Sequence, residues 1–191
     1  MTDPASPTTA DKTRSMLECH WSVELYNRLK AADVRQVAYV PDAGHAKLIE
    51  LFVADREIVA TMLTTEEEGI AIAAGAWLGG DRTVILMQSS GVGNCINVLG
   101  MTHECRLPLL VLVTMRGEQG EFNPWQVPMG QATRTVLESM SVAVHRVAAA
   151  EEAAPSVAAA AKRAYSGNSA QAVLIAQQVI GIKSFQEQSA R

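Results

Sequence analysis

Six short, almost wholly apolar runs, separated by longer segments with helical patterning, leave this chain few folds to choose from. The runs are "VRQVAYV" (34–40), "EIVATML" (57–63), "TVILMQ" (83–88), "LPLLVLVTM" (107–115), "VAVHRV" (142–147) and "AVLIAQ" (172–177). Helical patterns fill about 15–32, 44–54, 65–78, 93–104, 128–139 and 151–166. Strands that are apolar throughout and alternate with helices are buried on both faces. The pattern therefore predicts an α/β fold, a three-layer α/β/α sandwich around a mostly parallel six-stranded sheet. At 191 residues, 48% hydrophobic and 19% charged, the chain can bury one sizeable core, predicted over 15–183 between tails at 1–14 and 184–191. The segment "AAAEEAAPSVAAAAKRAY" (148–165) reads as one small-residue helix with Pro155 in its first turn.

Charge narrows the class of partner. Sixteen basic against twenty acidic side chains give −4, which offers no footprint for a nucleic-acid backbone or an anionic membrane. Cys19, Cys95 and Cys105 are odd in number and lack metal-site spacing, so neither a disulfide framework nor a bound metal is predicted, and a reducing cytoplasm fits best. The opening "MTDPASPTTADKTRS" has no apolar stretch and reads as a tail rather than a signal peptide. No run reaches the length of a membrane span.

In open parallel sheets the working residues gather in loops at the carboxyl ends of the strands. Three segments in such positions stand out: "PDAGH" (41–45), "SSGVGN" (89–94) and "RGEQGEFNPWQVPMG" (116–130). The glycine-bearing second segment follows a strand and opens a helix, which invites a phosphate site on free backbone amides, although tight strand-to-helix turns use glycine in any case. The third is long enough to be functional, or to be a surface excursion packed down by Trp125.

Segment 64–80, "TTEEEGIAIAAGAWLGG", runs three carboxylates into a stretch with no charge. Thr65-x-x-Glu68 matches a capping box, and acids in a first turn suit the helix dipole. The helix that follows is apolar all round, so it lies inside the protein or under a partner. A carboxylate at its mouth, Glu67, is then partly desolvated and suited to sharing a proton with a ligand, against the alternative of a solvated acidic cap.

Taken in order, "TTEEEGIAIAAGAWLGG", "MQSSGVGNCINVL", "LPLLVLVTMRGEQGE" and "QVPMGQAT" resemble the pyrimidine-binding domain of thiamine-diphosphate-dependent decarboxylases. The resemblance covers about 15–180 and is nearest to sulfopyruvate decarboxylase α subunits and the amino-terminal halves of phosphonopyruvate decarboxylases. It implies the thiamine-diphosphate-binding fold and a role for one acid. In this family a glutamate nine residues before a small residue and an aromatic hydrogen-bonds the cofactor's aminopyrimidine, and counting back from Ala76-Trp77 lands on Glu67. The bond favours the imino tautomer, whose nitrogen deprotonates the thiazolium carbon; that carbon attacks a 2-oxo acid, which loses carbon dioxide to give an aldehyde.

The resemblance also implies a missing half. The family holds the diphosphate and its Mg2+ through a GDG motif in a second domain, and this chain has none. It implies a β subunit carrying that domain, an α2β2 or larger hetero-oligomer, and no activity for this chain alone. "SSGVGN" then becomes a turn beside the cofactor, with Ser90, Gly91 and Asn94 near it. Substrate contacts on a small anionic 2-oxo acid are nominated at Asp42, His45, Arg116 and Gln126. The first three have plain structural readings as well: Asp42 a helix cap, His45 a first-turn surface residue, Arg116 a partner of Glu118 or Glu121. Two other functions fit the same residues, a carboligase or carbon–carbon lyase subunit and a non-catalytic nucleotide-binding module of Rossmann-like shape.

Overall fold

The computed structural model describes residues 21–181. Both predicted tails, and the domain limits at 15 and 183, lie outside the described residues. A helix over 21–31 (α1) leads into β1 (Val34–Tyr39), followed by α2 (Ala46–Ala54), β2 (Val59–Met62), α3 (Glu66–Leu78), β3 (Arg82–Gln88) and α4 (Ser89–Glu104). The chain continues through β4 (Leu109–Thr114), a 3-10 turn at Pro124–Gln126, α5 (Val127–Ser139), β5 (Ala143–Val147), α6 (Ala150–Gly167), β6 (Ala170–Ile175) and a short α7 (Gln177–Ile180). All six predicted strands are present, in the order β2-β1-β3-β4-β6-β5, and every pairing is parallel.

Apolar content tracks position in that order. The six residues of β4 are all buried, and in β3 the buried run is Thr83 to Met87, because both strands lie in the middle with helices on each face. Edge strand β2 instead leaves Val59 and Met62 59% and 67% exposed. Side chains alternate across the sheet as the pleat requires. Val84 and Leu86 point into a core with Leu25 and Leu29 of α1, Phe52 of α2 and the alanines of α6. Ile85 and Met87 point into the opposite core with Ile70 of α3, Leu99 of α4 and Leu137 of α5.

Two predicted details change. The glycine segment 89–94 is no loop: α4 starts at Ser89 directly off β3, so both glycines sit in its first turns. Pro155 lies six residues into α6, beyond the first turn, with its ring exposed. A solvent-facing proline there leaves the carbonyl one turn back open to water rather than stranded in the core. No helix among the described residues is long and apolar enough to cross a membrane.

Candidate active site

Chain order runs outward from β1 to β2 and then returns across β1 to β3, so the carboxyl ends of β1 and β3 form a crevice. Both α3 and α4 begin at that end of the sheet. Thr65 is the N-cap of α3, yet the predicted capping box does not form. Its hydroxyl donates to Glu67 Oε2 (3.1 Å), a charged acceptor, while Glu68 Oε2 accepts the Thr64 backbone N–H (2.9 Å). The three acids separate by burial, but not as the sequence suggested. Glu66 is 8% exposed; Glu67 and Glu68 are exposed in this chain.

Burial of Glu66 explains the glycine in α4. A Cβ at residue 91 would lie 2.3 Å from the Glu66 carboxyl, so only glycine lets the carboxylate rest on the first turn of α4. There Glu66 Oε2 accepts Asn94 Nδ2 (2.7 Å), and the positive end of the helix dipole faces it. This arrangement disfavours the nucleotide reading, since a phosphate placed on that turn meets a carboxylate already present. The neighbouring Cys95 thiol is pushed up to about 12 by burial, with the charges of Glu66 and Glu67 adding to the shift. It stays protonated and donates to the Gly91 carbonyl (3.5 Å).

Glu67 leads a face of α3 that none of the described residues covers. Ala71, Gly75 and Leu78 follow it at helical spacing and all are exposed, Leu78 to 80%. No Lys or Arg among the described residues pairs with Glu67, so its carboxylate remains available as a hydrogen-bond acceptor or proton partner. With only a methyl and a hydrogen over the next two turns, a flat ring or a partner surface can approach close to the helix backbone. A carboxylate acceptor in this position can take a hydrogen bond from a protonated or amino-substituted heterocycle. No group of three or more His, Cys, Asp or Glu among the described residues is placed to hold a metal ion.

The rest of the crevice is a polar network. Asp42 Oδ2 accepts the Thr114 hydroxyl (2.6 Å) and the Gly44 amide (3.2 Å), and Oδ1 accepts Gln88 Nε2 (3.1 Å). Gln88 Oε1 in turn accepts the Ser90 hydroxyl (2.9 Å), so the first turn of α4 is tied on one side to Asp42 and on the other to Glu66. His45 is fully buried rather than on the surface. Its Nε2 lies 3.1 Å from the Leu112 carbonyl, Nδ1 has no partner, and burial lowers its pKa so that the ring is held neutral. A ring closed off in this way is out of a substrate's reach.

Arg116 pairs with Glu121, the second of its two structural alternatives. Its Nε and one terminal nitrogen each donate to the Glu121 carboxylate at 2.6 Å, and its guanidinium lies 5.5 Å from the Phe122 ring centre. Glu121 also accepts the Gly117 and Asn123 amides and Gln177 Nε2, with its side chain only 1% exposed. The Arg116 pair, helped by these amides, holds the Glu121 carboxyl down at about 2 against the cost of burial. Asp42 and Arg116 thus meet at one small cavity of about 40 Å3, with Gln177 and Ile180 in its wall. Gln126 sits in the 3-10 turn, half-buried, its Oε1 buried without a partner.

Sequence reasoning placed Glu66 in the acidic cluster only as a neighbour of Glu67 with a capping or interface role, and missed Gln88, Thr114 and Gln177. Gln88 and Thr114 carried a signal, as polar residues ending otherwise apolar strands. Gln177 carried none, because its partners come from other elements.

A family model for the thiamine pyrophosphate enzyme N-terminal TPP-binding domain matches residues 22–133, over half the chain. The chain belongs to that family. Sulfopyruvate decarboxylase subunit alpha of Methanocaldococcus jannaschii is 35% identical to this TPP-binding domain over 133 residues, which are 69% of this chain and 79% of the relative. The corresponding subunit of Methanothermobacter thermautotrophicus is 38% identical over 63% of this chain and 74% of its own. Phosphonopyruvate decarboxylase of Streptomyces viridochromogenes is 36% identical over 61% of this chain but only 30% of its own length. Among solved structures, a 2-oxoglutarate:ferredoxin oxidoreductase from Magnetococcus marinus superposes with a TM-score of 0.64 at 15% identity, over 85% of this chain and 29% of that one. At that identity the likeness establishes the fold of the TPP-binding domain alone.

Proposed function

We propose that this chain is the α subunit of a two-chain thiamine-diphosphate-dependent 2-oxo acid decarboxylase, with Glu67 as the acid that shares a proton with the cofactor's aminopyrimidine. The observation that carries it is the outward-facing Glu67 carboxylate, held by the Thr65 hydroxyl and paired with no cation among the described residues, at the head of an exposed small-residue helix face. Kinship with sulfopyruvate decarboxylase α subunits and phosphonopyruvate decarboxylases supports the decarboxylase reading. When bound, thiamine diphosphate supplies the nucleophilic carbon and the electron sink for loss of carbon dioxide.

Each residue of this chain then has a task. Glu67 accepts or donates the proton at a ring nitrogen, and its place on a helix end fixes its direction. Glu66, held by Asn94 over Gly91, locks the first turns of α3 and α4 together so that Glu67, Ser90 and Asn94 keep their spacing. Asp42, Gln88 and Ser90 order the floor of the crevice, and Glu121 holds Arg116 and its loop over it. The cavity between Asp42 and Arg116, about 40 Å3, takes a water but no 2-oxo acid, so the substrate's remaining walls come from a second chain. That second chain is a β subunit with the diphosphate and Mg2+ site, assembled as α2β2 or larger in the cytoplasm, acting on a small 2-oxo acid with a further anionic group.

Reconstitution with such a β subunit, thiamine diphosphate, Mg2+ and a panel of 2-oxo acids tests the proposal through carbon dioxide release. Glu67→Gln lowers turnover at least about 100-fold, the usual scale for a lost proton-transfer group, while the complex still assembles. Full activity in Glu67→Gln together with loss in Glu66→Gln refutes the assignment of the acid.

A further inference from the structure

At the opposite end of the sheet lies a second feature that no step above uses. Among the described residues, Lys30, Arg35, Lys47, Arg116, Arg134 and Arg146 each meet a carboxylate. Arg28, Arg56, Arg82, Arg106, Lys162 and Arg163 meet none there, and three of these, Arg28, Arg82 and Lys162, line one cavity of about 300 Å3 between α1 and α6. Its other walls are Ala31, Ala32, Ala158, Ala161, Tyr165 and Ser166, with no acidic side chain. Three cations without a carboxylate partner therefore border one hollow, although the chain as a whole carries −4.

The cluster is partly rigid. Arg82 opens β3, donates to the Ala32 carbonyl (2.7 Å) and lies over the Tyr165 ring at 5.3 Å from its centre. That ring is fixed in turn by its hydroxyl donating to the Thr83 carbonyl (2.9 Å) and by stacking against Trp77. One guanidinium is therefore preorganised, while Arg28 and Lys162 are exposed and free to close over a ligand. The carboxyl ends of α1 and α6 do not neutralise them: two helix termini contribute about half a negative charge each, leaving roughly two net positive charges. The four alanines contribute only methyl groups and leave an apolar floor.

We propose that this cavity binds a small tetrahedral oxyanion of the phosphate or sulfonate class, carried on a compact organic body that rests on the alanine floor. Guanidinium and ammonium groups converging on a site without acids recognise such anions by charge-assisted hydrogen bonds. The site lies at the amino end of β3, so it is separate from the Asp42–Arg116 crevice at the carboxyl ends and does not depend on the decarboxylase reading.

Titration of the full chain by calorimetry and by amide NMR tests this, using inorganic phosphate, sulfate, methylphosphonate and methanesulfonate against chloride at matched ionic strength. Saturable binding with shifts centred on residues 28, 82, 162 and 166 is the expected result, and Arg28→Gln/Lys162→Gln weakens it at least about tenfold. Both substituted side chains are exposed, so an unchanged melting temperature in anion-free buffer shows that the variant folds. Tighter binding of methylphosphonate than of phosphate supports the organic body. A response to chloride equal to that of phosphate, equal binding by the double variant, or shifts confined to the crevice overturns the proposal.

Discussion

Gly91→Ala is an ordinary helix-strengthening substitution by propensity and a damaging one by geometry. In a helix, alanine is favoured over glycine by up to about 1 kcal/mol. At this position the new methyl would stand 2.3 Å from the Glu66 carboxyl, so that side chain must leave its place on the first turn of α4. Leaving breaks its 2.7 Å bond from Asn94, a hydrogen bond to a charged group worth about 1.5–3 kcal/mol. The net effect is a loss of about 0.5–2 kcal/mol, or a few degrees in melting temperature for a chain of this size. In a Glu66→Ala background the obstacle is gone and the same methyl fills vacated space, so Gly91→Ala becomes stabilising by up to about 1 kcal/mol. Urea unfolding of the wild type, both single variants and the double variant measures the cycle. An equal loss from Gly91→Ala in both backgrounds refutes the claim that this glycine exists to admit Glu66.

Three further outcomes follow from the same geometry. Glu121→Gln removes the counter-charge of a buried Arg116 and costs about 3–5 kcal/mol in chemical denaturation. Because the folded state holds the Glu121 carboxyl at about 2, below its ordinary value near 4.5, its contribution of about 3 kcal/mol is full above roughly pH 5 and is lost as pH falls toward 2. Urea midpoints measured from pH 6 down to 2 therefore fall more steeply for the wild type than for Glu121→Gln, and parallel curves contradict the pairing. Ala71→Arg, on the exposed face of α3, leaves the isolated chain's stability within about 0.5 kcal/mol and abolishes assembly with a β subunit; sedimentation of the mixed chains reads the second effect, and an intact complex removes that face from the interface.

Most of the architecture was open to reading along the chain, because apolar runs such as "LPLLVLVTM" and "TVILMQ" are what strands buried on both faces require. The placing of the candidate residues was equally legible: Asp42, Glu67, Ser90 and Arg116 all stand at the carboxyl ends of strands or at the starts of the following helices. Periodicity could not say that the helical glycines at 91 and 93 belong inside α4, since glycine reads locally as a turn.

The sequence by itself determined the alternation of strands and helices, the parallel sheet and the placing of polar residues at one end of it, since hydrophobic period and chain direction are local properties. Only the tertiary structure decided which acid of "EEE" is buried, that His45 is sealed beneath the crevice while Arg116 turns to Glu121, and that Arg28, Arg82 and Lys162 face one hollow. Burial and pairing depend on groups brought from elsewhere in the chain: Gly91 and Asn94 for Glu66, Leu112 for His45, and the meeting of α1 with α6 for the three cations. No pattern within a few residues of those side chains contains that information.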